Sequence, residues 1–148
     1  MQAAYLMAHG AHKTEWLAVA GQLDGFAYAR PETTKGKQPR ALLLTVRQMD
    51  SVALDAKQIA EALAGLACET LKREQIAGIV VTGGDTARAL FDALKLTAID
   101  VVGELLPGVA LGTIDYDGGR LPVVSKAGAF GGEDLFVTIC DKLIAASE

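Results

Sequence analysis

The sequence predicts a single α/β domain over residues 1–148, with a mostly parallel sheet, helices on both faces and a C-terminal β-hairpin element. Short apolar runs such as ALLLTV (Ala41–Val46) and GIVVTGG (Gly78–Gly84) are typical of strands covered on both faces. These runs alternate with longer segments whose apolar residues recur at helical spacing, and such alternation favours a parallel sheet. A chain of 148 residues is also long enough to bury one core.

The composition is that of an ordinary globular protein and excludes several classes. Hydrophobic residues make up 51% of the chain, charged residues make up 22%, and the net charge is −4. This charge argues against a nucleic-acid partner, which needs a clustered basic face. We find no run long enough to span a membrane and no secretory signal, so we expect a cytoplasmic protein. Cys68 and Cys140 are then expected to be structural free thiols.

The N-terminal third is predicted to hold a strand, a helix, an exposed loop and a second strand. The first strand is assigned to Ala3–Gly10 and the exposed, proline-containing loop to Arg30–Arg40, followed by the strand Ala41–Val46. A helix is expected over Lys13–Phe26, because four apolar residues there fall at helical spacing. These residues are Trp16, Leu17, Ala20 and Leu23.

The remaining elements follow from periodicity and turn residues. A helix is predicted from Asp55 to Arg73, ending in basic residues that suit its dipole. Pro107-Gly108 separates two strands, Asp117–Gly119 marks a hairpin, and Glu133–Ala146 forms the last helix. Another helix follows Gly83-Gly84, with an apolar face that obeys the i, i+3, i+4, i+7 rule. That face consists of Ala87, Leu90, Phe91 and Leu94.

Two glycines stand between a buried strand and this helix. A ligand can come close to the amides of Gly83, Gly84 and Asp85, because the two glycines have no side chain. With a helix N-terminus at Thr86, these amides predict an anion site, to which the Thr86 hydroxyl adds a donor. Asp85 could cap the helix or hold Mg²⁺ through water. The alternative is a tight turn with no ligand.

A second glycine-rich loop, SKAGAFGGED, follows another strand. Lys126 could neutralise phosphate, or it could be a solvated lysine at a strand end. Phe130, flanked by Gly128 and Gly131, could offer its face to a base or fill the core. The acidic residues at 133 and 134 would repel phosphate, so this loop is expected to contact base or ribose. Two such loops at neighbouring strand ends predict one crevice.

Three segments together resemble a known family. VVTGGDTARAL, GELLPGVALGTI and SKAGAFGGEDLF, in this order, are similar to the C-terminal nucleotide-binding domain of the four-carbon acid sugar kinases. The resemblance runs from about Ile79 to Val137. It implies a kinase that phosphorylates threonate, erythronate or a related acid with ATP and Mg²⁺. The residues that it assigns to the nucleotide site are Gly83, Gly84, Asp85, Thr86, Lys126, Gly128, Ala129, Phe130 and Gly131.

Two departures from the family pattern bear on activity. The family has a Gly-Ser turn after its first strand, whereas the matching place here reads Gly10-Ala11-His12-Lys13-Thr14. The family's acceptor-binding domain is also missing from these 148 residues. We therefore expect the chain to be inactive alone and a separate chain to supply the acceptor site. The alternative is a non-catalytic nucleotide-binding or partner-interaction module.

The two histidines do not predict a metal site. His9 and His12 lie in a strand-to-loop setting with no cysteine or carboxylate cluster nearby, so no metal ligand is assigned. His12 and Lys13 could instead reach phosphate in place of the missing serine. No serine of the chain lies in a Gly-x-Ser-x-Gly frame, which excludes the nucleophile elbow of the α/β-hydrolases.

Overall fold

A computed structural model describes residues 14–20, 41–47 and 55–146. The six strands of these ranges are β1 (Thr14–Ala20), β2 (Ala41–Arg47), β3 (Ile79–Thr82), β4 (Asp100–Leu106), β5 (Val109–Tyr116) and β6 (Gly119–Lys126). The three helices are α1 (Ala56–Arg73), α2 (Gly84–Ala93) and α3 (Leu135–Ala145).

The described strands form two sheets. A four-stranded sheet has the order β3-β6-β5-β4, and β1 pairs with β2 in a separate parallel sheet of two strands. In the larger sheet only β3 and β6 are parallel, whereas β6 with β5 and β5 with β4 are antiparallel. The prediction of a mostly parallel sheet is therefore wrong. The two-residue connections around β5 can join only antiparallel neighbours, because a parallel pair needs a long crossover.

Both tight turns are confirmed where the sequence predicts them. Pro107-Gly108 connects β4 to β5, and Asp117-Gly118 connects β5 to β6. Asp117 and Gly118 have φ of 49° and 74°, as a type I′ hairpin turn requires at both central positions.

Helices cover both faces of the larger sheet, which confirms that part of the prediction. Val123 of β6 belongs to a core formed with Leu71 of α1 and residues of α2. The next residue, Val124, points to the opposite face and packs with Ile139 of α3, which is fully buried. Since successive residues of a strand face opposite sides, β6 contributes to both cores.

The boundaries of α1 and α3 agree with the sequence to within two residues. Asp55 caps α1 in a capping box, in which its side chain accepts from the Gln58 amide and the Gln58 side chain accepts from the Asp55 amide. Lys72 and Arg73 lie in its last turn and pair with Glu69. Among the helices of the described ranges, none is long and apolar enough to cross a membrane.

The predicted N-terminal helix is wrong. Thr14–Ala20 forms β1 instead, in parallel register with β2 from Thr14 opposite Ala41 to Ala20 opposite Arg47. A short apolar run of this kind suits a buried strand as well as a helix face, and pairing with β2 decides for the strand. The strand at Ala3–Gly10, the loop at Arg30–Arg40 and both histidines lie outside the described residues.

Both cysteines are free and half-buried. Burial raises the pKa of the Cys68 thiol, and burial together with the neighbouring Asp141 carboxylate raises the pKa of Cys140. A raised pKa keeps a thiol protonated and unreactive, which agrees with the structural role expected from the sequence.

The Pro107-Gly108 turn is in contact with the second glycine loop. Gly108 has a φ of +75°, and a Cβ added to it would lie 2.5 Å from Cζ of Phe130. Gly118, in the other hairpin turn, has a φ of +74° and nothing within 4 Å of an added Cβ. The two glycines thus share one backbone conformation and differ in whether an aromatic ring covers them.

This pair gives a prediction about stability. Gly118→Ala should lower the free energy of unfolding by about 1–2 kcal/mol, the cost of the left-handed backbone alone. Gly108→Ala should cost about 1–3 kcal/mol more, because the new methyl group displaces the ring. Urea unfolding measures both values. In a Phe130→Ala background the two costs should become equal, and an equal cost in the original chain would contradict the contact.

Candidate functional site

Three connecting segments meet at the end of the larger sheet where β3 and β6 terminate. The parallel strands β3 and β6 end side by side, with Thr82 opposite Lys126. The Gly83 amide donates to the Lys126 carbonyl over 3.1 Å, and a Cβ added to Gly128 would lie 4.0 Å from Cα of Gly83. Val109, the first residue of β5, also lies opposite Lys126. The predicted proximity of the two glycine loops is confirmed, and the Pro107-Gly108 turn joins them.

The first loop is shorter than predicted. The α2 helix begins at Gly84 rather than at Thr86, so the helix start and the capping role suggested for Asp85 are both wrong. Gly83 is the N-cap, with φ 90° and ψ 133°, and makes no side-chain capping bond. A left-handed φ at this position explains the first glycine. The carbonyl of Gly83 accepts from the Ala87 amide and closes the first turn.

The second glycine has a different reason. Gly84 is exposed, and a Cβ added to it would meet nothing within 4 Å. Neither packing nor a left-handed φ requires glycine at this position. Because Gly84 has no side chain, the space above the first turn of α2 is open. The first amides of a helix have no partner within the helix and carry its positive dipole end. This turn therefore offers N–H donors that an anionic group can approach closely.

One carboxylate stands beside these donors. Asp85 is exposed in the first turn of α2. Its negative charge suits the helix dipole but repels a bare phosphate. An oxygen ligand of this kind suits Mg²⁺, which binds proteins through one or two carboxylates and shares phosphate oxygens. The turn fits a phosphate accompanied by Mg²⁺ better than a free anion.

Lys126 is buried rather than solvated. The residue is 5% exposed, and its ammonium donates to Oγ1 of Thr82 at 3.1 Å and to the carbonyls of Ala127 and Gly128 at 2.9 and 3.0 Å. The ammonium also lies 5.3 Å from the ring centroid of Phe136. Burial lowers the pKa of Lys126. The three acceptors already satisfy the ammonium, so none of these contacts calls for a phosphate beside Lys126. Its direct pairing with phosphate stays a prediction.

The second loop presents its predicted residues at the surface. The exposed residues of this loop are Gly128, Ala129, Phe130 and Gly131. Phe130 is 44% exposed, although its ring covers Gly108. Gly131 has a φ of +90°, and a Cβ there would overlap the side chain of Leu135. Glycine at 131 is therefore a requirement of the backbone and of packing.

The sequence interpretation missed two participants. Thr82 accepts a hydrogen bond from Lys126. Nothing in the sequence around Thr82 indicates this role, because it depends on the strand register that places Thr82 opposite Lys126. Pro107-Gly108 was read as a break between strands and as part of the family resemblance, but its contact with Phe130 of the second loop was not predicted. Within the described residues, no group of three or more His, Cys, Asp or Glu side chains could hold a metal ion.

Comparison with protein families identifies the domain to which these elements belong. Residues 9–136 match the model of the nucleotide-binding C-terminal domain. A D-threonate kinase of Bordetella bronchiseptica is 34% identical over 134 residues, which cover 88% of this chain and 31% of that protein. A D-threonate kinase of Salmonella typhimurium is 30% identical, over 62% of this chain and 21% of that protein. A D-erythronate kinase of Heliobacterium modesticaldum is 31% identical, over 60% of this chain and 21% of that protein.

Solved structures support the same family relationship. A domain of unknown function from Bordetella bronchiseptica, crystallised with bound citrate as a domain-swapped dimer, superposes with a TM-score of 0.70 at 32% identity. The match covers 96% of this chain and 35% of that one. A second crystal form gives a TM-score of 0.72 at 29% identity, over 96% of this chain and 37% of the other. The chain thus spans about a third of the length of these relatives, and it belongs to the family of nucleotide-binding C-terminal domains of the threonate and erythronate kinases.

Proposed function

We propose that this chain is the ATP-binding part of a kinase that phosphorylates a four-carbon sugar acid of the threonate or erythronate type. The observation that carries the proposal is the meeting of two glycine loops at the ends of β3 and β6. Open α/β sheets bind their ligands beyond the carboxyl ends of the strands, and both loops lie there. The names of the relatives supply the reaction and the class of acceptor.

The phosphates belong at the first turn of α2 in this proposal. Gly84 leaves open space, and the amides of Gly84, Asp85 and Thr86 supply donors at the positive end of the helix. The Asp85 carboxylate is available to Mg²⁺, directly or through water. Bound Mg²⁺ would neutralise phosphate charge, and the part of this chain would be to hold and orient the nucleotide.

The nucleoside belongs at the second loop. Phe130 has an exposed face that a base can stack on, and its position is fixed by the contact with Gly108. The acidic pair Glu133 and Asp134 is exposed beyond it and disfavours phosphate at this end. Charge therefore orients the nucleotide, with its phosphates towards Gly84 and its base towards Phe130.

The acceptor site is proposed to lie elsewhere. Phosphoryl transfer depends on holding both reactants in line and on stabilising charge. The 148 residues correspond to about a third of the related kinases, whose remaining length is available for binding the acid. A separate domain or chain is therefore proposed to complete the active site. The crystallised relative from Bordetella bronchiseptica is a domain-swapped dimer, which is itself an association of separate chains.

Calorimetry tests the nucleotide proposal. ATP with Mg²⁺ at millimolar concentrations should release or absorb heat on mixing with the chain and raise its unfolding temperature. Omitting Mg²⁺ should weaken binding, because the Asp85 carboxylate then faces uncompensated phosphate charge. The absence of both heat and thermal shift would refute the proposal.

Gly84→Val tests the placement of the phosphates. The branched side chain fits the free protein, since nothing lies within 4 Å, but it fills the space above the first-turn amides. ATP should bind at least about tenfold more weakly, a loss of about 1.4 kcal/mol or more. Gly65→Val is the matched control, because Gly65 is an exposed glycine of α1 with equally open surroundings. Unchanged ATP affinity in a folded Gly84→Val variant would show that phosphate does not approach this turn.

The 148 residues alone should bind nucleotide without phosphorylating threonate or erythronate. Chain purified from a host that lacks such kinases is assayed for phosphorylated acid, with a full-length relative as the positive control. Product from this chain alone would contradict the proposal of a missing acceptor site. Adding the remaining domain of a related kinase distinguishes the alternative, because a non-catalytic module would stay inactive even then.

A further inference from the structure

Lys126 is the only buried charged side chain in the part of the chain that the structure describes. An ammonium group has three protons to donate. Thr82, Ala127 and Gly128 accept all three, at 2.9–3.1 Å. The ring of Phe136 faces the same group. Removing an ammonium from water is costly unless its hydrogen bonds are replaced, and here they are replaced by the protein itself.

The three acceptors lie where the two glycine loops begin. Thr82 immediately precedes the Gly83 turn, whereas the two carbonyls belong to the start of the second loop. The carbonyl of Lys126 also accepts from the Gly83 amide. One residue therefore ties the loops together through its side chain and through its backbone.

The direction of the accepting carbonyls determines where the loop amides point. No peptide bond of the described residues is cis. In a planar trans peptide the carbonyl and the next N–H point in opposite directions. Because the carbonyls of Ala127 and Gly128 face the buried ammonium, the N–H groups of Gly128 and Ala129 point away from it. Both residues are exposed, so the two donors are directed to the outside of the loop.

From these contacts we propose that Lys126 is a positioning residue, which holds the second loop against the Gly83 turn and directs the Gly128 and Ala129 amides towards the ligand. Its own charge does not touch phosphate. The loop geometry stands on the contacts alone, whereas the effect on nucleotide affinity rests on the proposed function. The groups that these two amides would bind are hydrogen-bond acceptors of the base or ribose, because the acidic residues beyond the loop disfavour phosphate there.

Hydrogen exchange of the ligand-free chain tests the positioning role without any nucleotide. Lys126→Met keeps the length of the apolar stem and removes the three donors. The hydrogen-bonded amides of the two segments, Phe130 in the second loop and Gly83 and Ala87 at the first, should exchange about tenfold faster or more, while those of β5 stay protected. Lys142→Met makes the same substitution at an exposed lysine of α3 and should change neither segment. Unchanged exchange in both loops of Lys126→Met would overturn the proposal.

Ligand binding separates positioning from phosphate contact. Lys126→Met should weaken ATP and adenosine by a similar factor, and the salt dependence of ATP affinity should stay the same. Loss of ATP affinity alone, with a weaker salt dependence, would show a direct phosphate contact and refute the inference. If the unmodified chain binds neither ligand, the proposed function fails, while the exchange result still decides the role of Lys126.

Thr82→Val keeps the test decisive if Lys126→Met does not fold. Valine matches the volume of threonine and removes one acceptor while the lysine remains. Exchange should increase at the hydrogen-bonded Phe130 amide of the second loop, although the substitution lies on a different strand. An increase confined to the Gly83 and Ala87 amides would show that the ammonium does not link the two loops, and would overturn the proposal.

Discussion

The parallel pairing of β3 with β6 is the constraint on which the candidate site depends. It places Thr82 opposite Lys126 at the last position of both strands, so that both glycine loops begin at the same level. A shift of one residue would turn every side chain of β3 to the other face of the sheet. Val81 would leave the core that it shares with Leu71 and Val123, which fixes the register by burial. The site therefore inherits its alignment from the hydrophobic core.

The antiparallel strands bring in the third segment. Because β5 runs opposite to β6, the start of β5 lies beside the end of β6, and the Pro107-Gly108 turn arrives at the same edge. The contact of Phe130 with Gly108 then connects that turn to the second loop. Three motifs that are far apart in the sequence thus occupy one place. A mostly parallel sheet with long crossovers at β5 would lack the turn that supports Phe130.

Local signals predicted much of this arrangement. Pro-Gly and Asp-Gly-Gly located both hairpin turns, and the apolar spacing located α1, α2 and α3, because turn residues and helix periods act over a few positions. The strand at Thr14–Ala20 was mistaken for a helix, since pairing with the distant β2 decided its state. The glycine loops were recognised, but the inward direction of the Lys126 ammonium was not. That direction depends on carbonyls of the loop and on Thr82 across the sheet, which no spacing reveals.

The buried ammonium also has an electronic consequence for the loop. A carbonyl that accepts a charged hydrogen bond becomes more polarised, and the polarisation extends through the peptide group to its N–H. The amides of Gly128 and Ala129 each share a peptide group with a carbonyl bound to Lys126. They are therefore stronger donors than ordinary loop amides. The charge of the buried Lys126 ammonium therefore strengthens two N–H donors at the surface, although the lysine itself is buried and the chain has a net charge of −4.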